Sequence, residues 1–273
     1  MSDAISRWVW ETRYRHKDER TITDSRERVA RALASVESDP ETYSKRFLAI
    51  LDDYRFLPGG RILAGAGSGR DVTLFNCFVM GLIEDSLDGI FTALRESAVT
   101  MQMGGGIGLD FSTLRPAGMR TKRVGAIASG PVSFMHVWDT MCATLVSSGN
   151  RRGAMMATLR CDHPDIENFI TAKQQSGVLT HFNLSVQVTD AFMRAVERDD
   201  DWALLFPADS LGEGEGDLPL VQSAWPGREG PVACRVLRTM RARELWEKIS
   251  QAAYDVAEPG VLFVDRINRE NNL

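Results

Sequence analysis

The sequence predicts an α/β protein with parallel strand pairs behind a short helical lead-in. Three observations carry this prediction. Short strand-like segments recur along the chain, as in residues 107–111, 155–159 and 182–188. Between them lie longer stretches whose apolar residues return at helical spacing. Glycine, proline and capping residues separate the two kinds of segment at short intervals. Strands that alternate with helices favour crossover connections and a parallel sheet.

Residues 1–55 are charged and punctuated by Trp8, Trp10, Tyr14, Phe47 and Tyr54, with Leu33, Val36, Phe47, Leu48 and Leu51 at helical spacing. They predict a small helical segment. The glycine-rich stretch FLPGGRILAGAGSGRD opens a different region. Residues 72–79 predict a short buried strand. Apolar residues at 87, 90, 91, 94, 98 and 101 predict an amphipathic helix, started by Asp85 or Ser86 and ended by Gly104-Gly105-Gly106. Residues 107–111 follow as a strand, then a basic loop over 115–123. Pro131 suits a first helical position, with Phe134, Trp138, Met141 and Leu145 as the next apolar face.

SSGNRRGA, residues 147–154, reads as a second small-residue basic loop. Residues 155–159 predict a strand, and Pro164 a helix that turns Ile166, Phe169 and Ile170 inward. Residues 182–188 predict another strand, and Thr189 or Asp190 caps a helix through Val196. Residues 202–206 are strand-like. Residues 207–230, rich in glycine, proline and acid, predict a surface loop. The last helix places Leu245, Ile249, Ala252, Ala253 and Val256 on one face, before a final strand over 261–264. The chain then stops at NRENNL with no helix to cover that strand, which predicts an incomplete repeat.

The bulk numbers bound the function. The chain has 273 residues, 44% apolar and 25% charged, with net charge −5. That is ordinary globular composition, and no broad basic face is available for nucleic acid. No run reaches the length of a membrane span, and the charged N-terminus has no signal-peptide core, so the sequence predicts a cytoplasmic protein that binds neither membrane nor nucleic acid. Four cysteines, at 77, 142, 161 and 234, are widely spaced without a CxxC. A disulfide scaffold is excluded and no zinc site is expected.

Some stretches invite chemistry. GGGIGLD is neither a Walker A loop nor a dinucleotide fingerprint, because its glycines close a helix rather than open one. A helix C-cap is the favoured reading, and close approach of a ligand to the backbone the alternative. The loops around Arg115 and Arg151 carry enough positive charge for polyphosphate, although solvated faces explain most charge runs. Cys77 reads either as a small buried residue at a strand end or as a reactive thiol. Cys161-Asp162-His163 is poor grounds for a metal.

Taken in order, FLPGGRILAGAG, TLFNC, EDSLDGI, QMGGGIGLDFSTLRPAG, SSGNRRGAMMATL, FNLSVQVTDAFM and EPGVLFVDRIN resemble the large catalytic subunit of ribonucleotide reductase. They most resemble the adenosylcobalamin-dependent class II enzymes, from about residue 50 onward. The resemblance implies a helical segment over 1–55. It implies, over 56–273, the incomplete first half of a ten-stranded α/β barrel. It implies reduction of a ribonucleotide substrate to a 2′-deoxyribonucleotide by thiyl-radical chemistry, with adenosylcobalamin as cofactor. A deoxynucleoside triphosphate effector sets which base is reduced.

By this resemblance Cys77 is the barrel cysteine that serves as reductant. Gly60, Asn76 and Gly106 line the substrate site, Gly60 standing where relatives often have a hydroxyl residue. Asp85, Ser86 and Leu87 open the effector helix, and Arg115, Lys122 and Arg123 surround its nucleotide. Ser148, Gly149, Asn150, Arg151 and Arg152 form the specificity loop, with Arg152 nearest the substrate base. The family's radical cysteine, in an Asn-Pro-Cys-Gly-Glu stretch, and the reductant's partner cysteine do not occur in this sequence. The expectation is therefore a piece of a split enzyme, a gene fragment or a truncated chain, inactive alone and completed by the missing C-terminal half in trans. A homodimer through the effector helix is implied. A non-catalytic nucleotide-binding remnant is the alternative. No ATP-cone segment is recognisable, so control of overall activity there is not expected.

Overall fold

A computed structural model of the chain describes residues 4–119, 127–145, 153–211 and 218–272. It divides into two compact units, one built on Met1–Phe78 and Val99–Gly106, the other on Val79–Ala98, Ile107–Leu145 and Ala154–Leu273.

The first unit is helical. Helix α1 (Ala4–Val9) passes into a π-helical turn, Trp10–Tyr14, and α2 (Ile22–Ala34) packs on α3 (Pro40–Leu51). Thr21 starts α2 with a reciprocal capping box: its side chain accepts from Asp24 N, while Asp24 accepts from Thr21 N. Asp39 caps α3 just ahead of Pro40. The core of this unit is Val29, Ala30, Leu51 and Ala66, with Leu33, Phe47 and Leu48 against it, as the spacing predicts. Val36 is different. It lies beyond the end of α2 and is 87% exposed. The short helix α4 (Gly60–Gly65) follows.

The strand expected over 72–79 shrinks to β1 (Cys77–Val79), and it is not buried. It stands at the edge of a five-stranded sheet ordered β1-β2-β3-β4-β8, so one side lacks a neighbour. The other strands are β2 (Gly106–Asp110), β3 (Met155–Arg160), β4 (Phe182–Val188) and β8 (Gly260–Phe263). The pairs β2–β3, β3–β4 and β4–β8 are all parallel. Each strand joins the sheet in chain order, as helical crossovers require. The crossovers are α5 (Leu87–Gln102), α6 (Gly130–Thr144), α7 (Ile166–Thr171), α8 (Asp190–Arg198) and α9 (Ala242–Val256). Phe111 is central to the core, edge-to-face with Trp138 at 5.4 Å and with Phe182 at 6.1 Å. Trp138 Nε1 donates to Ser97 Oγ, so its burial leaves no donor stranded.

Two expectations need correction. Residues 207–230 are not simply a loop: β5 (Asp201–Pro207), β6 (Leu220–Ala224) and β7 (Pro231–Arg241) form an antiparallel sheet ordered β5-β7-β6. Its own core gathers Leu205, Phe206, Leu211, Trp225 and Cys234. Nor does the last strand end the order, because α10 (Val264–Glu270) follows β8 directly. Among the described residues no helix is long and apolar enough to cross a membrane.

Candidate functional site

In the first unit the structure brings Gly60, Asn76, Cys77 and Gly106 into one neighbourhood. Asn76 is the link. Its side-chain Oδ1 accepts from Arg61 N at 3.3 Å, at the start of α4 beside Gly60, and its carbonyl accepts from Gly106 N at 2.8 Å. Cys77 follows Asn76 at the edge strand and is exposed. The reading of it as a small buried residue therefore fails. A side chain at Gly60 would meet the Tyr14 hydroxyl at 3.3 Å.

The glycines of GGGIGLD end α5 in a left-handed cap. Gly104 has φ 91°, its N donates to Met101 O, and Gly105 N donates to Thr100 O. The close approach that glycine allows is to the chain itself: a Cβ would lie 2.7 Å from Arg61 Nη1 at Gly104 and 2.7 Å from the Phe78 ring at Gly105.

In the second unit Asp85, Ser86, Leu87 and Arg115 converge at the start of α5. Arg115 N and Nε donate to the two Asp85 carboxylate oxygens at 3.2 and 2.8 Å, and Arg115 Nη2 donates to Asp85 O at 3.2 Å. Both side chains are 19% exposed. Ser86 Oγ accepts from Gly89 N at 3.0 Å, so the serine, not the aspartate, caps the helix. Leu87 is exposed. Arg115 is thus held at a helix N-terminus, where backbone donors and the helix dipole favour an anion. Lys122, Arg123, Ser148, Gly149, Asn150, Arg151 and Arg152 lie outside the described residues.

The other cysteines are buried. Burial pushes the thiols of Cys142 and Cys234 up to about 11, and that of Cys161 higher still. Among the described residues no group of three or more His, Cys, Asp and Glu is placed to hold a metal. Sequence reasoning set His163 aside as poor grounds for a metal and did not weigh Asp165. Both are buried polar groups that touch the loop carrying Arg115: His163 Nε2 lies 2.9 Å from Leu114 O, and Asp165 Oδ2 accepts from Ala117 N at 2.8 Å. The signal was a histidine and an aspartate two residues apart, straddling a proline just before a helix.

The architecture defines an α/β domain of sequentially added parallel strands behind an all-helical segment. Residues 75–273 match the family pattern described as ribonucleotide reductase, barrel domain, and residues 2–71 match ribonucleotide reductase, all-alpha domain. The chain is 41% identical over 251 residues, 90% of its length, to a vitamin B12-dependent ribonucleoside-diphosphate reductase of Mycobacterium tuberculosis. It is 34% identical over 84% of its length to a protein of that name from Thermoplasma acidophilum, and 26% over 87% to a ribonucleoside-diphosphate reductase large subunit of Vaccinia virus. The chain belongs to the ribonucleotide reductase large-subunit family. It spans about a third of these relatives, covering 32%, 27% and 30% of their lengths.

Proposed function

We propose that this chain supplies the helical domain, the effector site and the first half of the catalytic barrel of an adenosylcobalamin-dependent ribonucleotide reductase. The substrate is a ribonucleotide, and the diphosphate is the form named for the relatives. The observation that carries the reading is the pairing of Arg115 with Asp85 at the N-terminus of α5, on a chain so similar to B12-dependent reductases. The effector is a deoxynucleoside triphosphate, its phosphates meeting Arg115 with Lys122 and Arg123, and its sugar and base lying along Asp85–Leu87. Residues 148–152 relay its identity to the substrate, with Arg152 at the base.

Adenosylcobalamin supplies a radical when bound. The described residues form no identifiable cradle for a corrinoid. What this chain contributes to the reduction is a thiol. Cys77, beside Asn76 and Gly106, faces the ribose, whose 2′-hydroxyl leaves as water. Two electrons and two protons come from Cys77 and a second thiol, which are oxidised to a disulfide. Cys142, Cys161 and Cys234 are buried and hard to ionise, so the second thiol comes from elsewhere in the complete reductase.

The test is Cys77→Ser in a complete reductase carrying this sequence. The hydroxyl nearly matches the thiol in size but forms no disulfide. Turnover with a dithiol should fall to background while substrate affinity stays within about twofold, a difference under ~0.5 kcal/mol. Wild-type turnover in the variant would sink the assignment. A non-catalytic nucleotide-binding remnant predicts effector binding with no such dependence on Cys77.

A further inference from the structure

We propose that the turn His163-Pro164-Asp165, between β3 and α7, is a clamp that positions Arg115 for the effector, an inference that rests on the effector reading above. Between Phe111 and α6 a base is formed by two backbone bonds, Gly118 N to Ala128 O at 2.9 Å and Ala128 N to Met119 O at 2.8 Å. The clamp grips the same base from the side. His163 Nε2 meets Leu114 O at 2.9 Å, and Asp165 Oδ2 accepts from Ala117 N at 2.8 Å. Leu114 and Ala117 bracket Arg115, so the arginine's backbone is fixed on both sides. Its side chain is then carried onto Asp85.

Two features separate this arrangement from an ordinary turn. Asp165 stands at the N-cap position of α7, yet its side chain makes no capping bond to that helix. An aspartate at an N-cap normally accepts from its own helix. Here the carboxylate accepts from the loop instead, so α7 forgoes a local bond in favour of one 48 residues away in sequence. The second feature is the histidine's tautomer. Asp165 N can only donate, so it sets Nδ1 as acceptor at 3.0 Å. Leu114 O can only accept, so Nε2 carries the proton. The ring is buried, and both of its nitrogens are committed to holding one geometry. Gly130 closes the remaining side: with φ 78° it approaches so near that a Cβ would lie 2.6 Å from Asp165 Oδ2 and 2.8 Å from Ala117 Cβ.

The experiment uses the whole chain with Asp165→Ala and Asp165→Asn. Amide exchange reads the clamp, and titration with a deoxynucleoside triphosphate and with the matching deoxynucleoside reads the effector site. In Asp165→Ala the Ala117 and Gly118 amides should exchange at least about tenfold faster, with the Val186 amide of β4 unchanged. Triphosphate affinity should fall about tenfold and nucleoside affinity hold, because only the phosphates meet Arg115. Asp165→Asn keeps an acceptor oxygen and should restore both. A merely structural role would speed exchange in β4 as much as in the loop and leave the triphosphate-to-nucleoside ratio unchanged; either result overturns the clamp. If the wild type binds triphosphate and Asp165→Ala binds it equally, this proposal alone falls. If the wild type binds none, the effector reading falls and takes this one with it.

Discussion

Cys77 is set apart from the other cysteines by exposure, and that difference is open to a direct chemical test. The thiolate is the reactive form, and a thiol needs both ionisation and access to reach it. Cys142 and Cys234, raised to about 11, hold about one part in a thousand as thiolate at pH 8, and Cys161 holds less. Native protein should therefore react with an alkylating reagent at one site, Cys77, and at four only after unfolding. Mass mapping that finds Cys161 or Cys234 labelled first would contradict the fold. His163 supplies a second residue-scale prediction. Burial holds its pKa below the ordinary 6.5, against the pull of the Leu114 carbonyl and of Asp165, Asp162 and Asp110, which raise it. Below pH 6.5 the unfolded chain gains a proton that the folded chain refuses, so stability is full above that pH and falls as pH drops. His163→Gln keeps a donor for Leu114 but does not titrate. Its melting temperature should fall less between pH 7 and 5.5 than that of the wild type, and parallel curves would refute the point.

At the scale of elements, the start of α6 shows how much one backbone conformation decides. Gly130→Ala asks for a left-handed residue and a Cβ inside contact distance of Asp165 and Ala117. Strain and overpacking together should cost about 2–4 kcal/mol, measurable by denaturant unfolding, and a loss under ~1 kcal/mol would mean that the junction is looser than described. None of this could be read from Ser129-Gly130-Pro131, because Asp165, which a Cβ at Gly130 would meet, lies more than thirty residues further on. The helix itself was legible from Pro131, but its buried face was only partly read: Trp138 is buried, with Met135 and Cys142 rather than Phe134 and Met141 beside it, and Leu145 falls at the C-cap. Strand β4 was legible because FNLSVQV alternates, with Phe182, Leu184, Val186 and Val188 buried and Asn183, Ser185 and Gln187 between them. Strand β7 was not, since Arg235, Arg238 and Arg241 recur every third residue and break the two-residue alternation by which a one-sided strand is recognised. The strand over 72–79 was overread because apolar composition was taken for burial, whereas Phe75 ahead of β1 and Val79 on this edge strand are both exposed. In the candidate sites, ordered motifs led to Asn76, Cys77, Asp85 and Arg115. They were silent about His163 and Asp165, which act through tertiary contacts alone.

For the molecule as a whole, the surface of α5 matters most. Leu87 and Phe91, one turn apart on the same face, are 67% and 51% exposed. An exposed leucine or phenylalanine alone is unremarkable, but a paired apolar stripe on a long helix favours association. A homodimer of the kind the family resemblance implies would bury this stripe against its copy, close to the proposed nucleotide site at the N-terminus of the same helix. Binding and association would then be linked: a triphosphate that tightens the dimer by some factor must itself bind more tightly to the dimer by that factor. Sedimentation should show a monomer–dimer equilibrium shifted toward dimer by a deoxynucleoside triphosphate. Phe91→Glu places a charge in each half of the symmetric contact and should weaken association by at least about tenfold, or ~1.4 kcal/mol. That variant should keep the weaker, monomer-level nucleotide affinity and lose the dependence of affinity on protein concentration. If wild-type affinity stays constant across the concentrations over which the mass doubles, α5 is not the link between the two events.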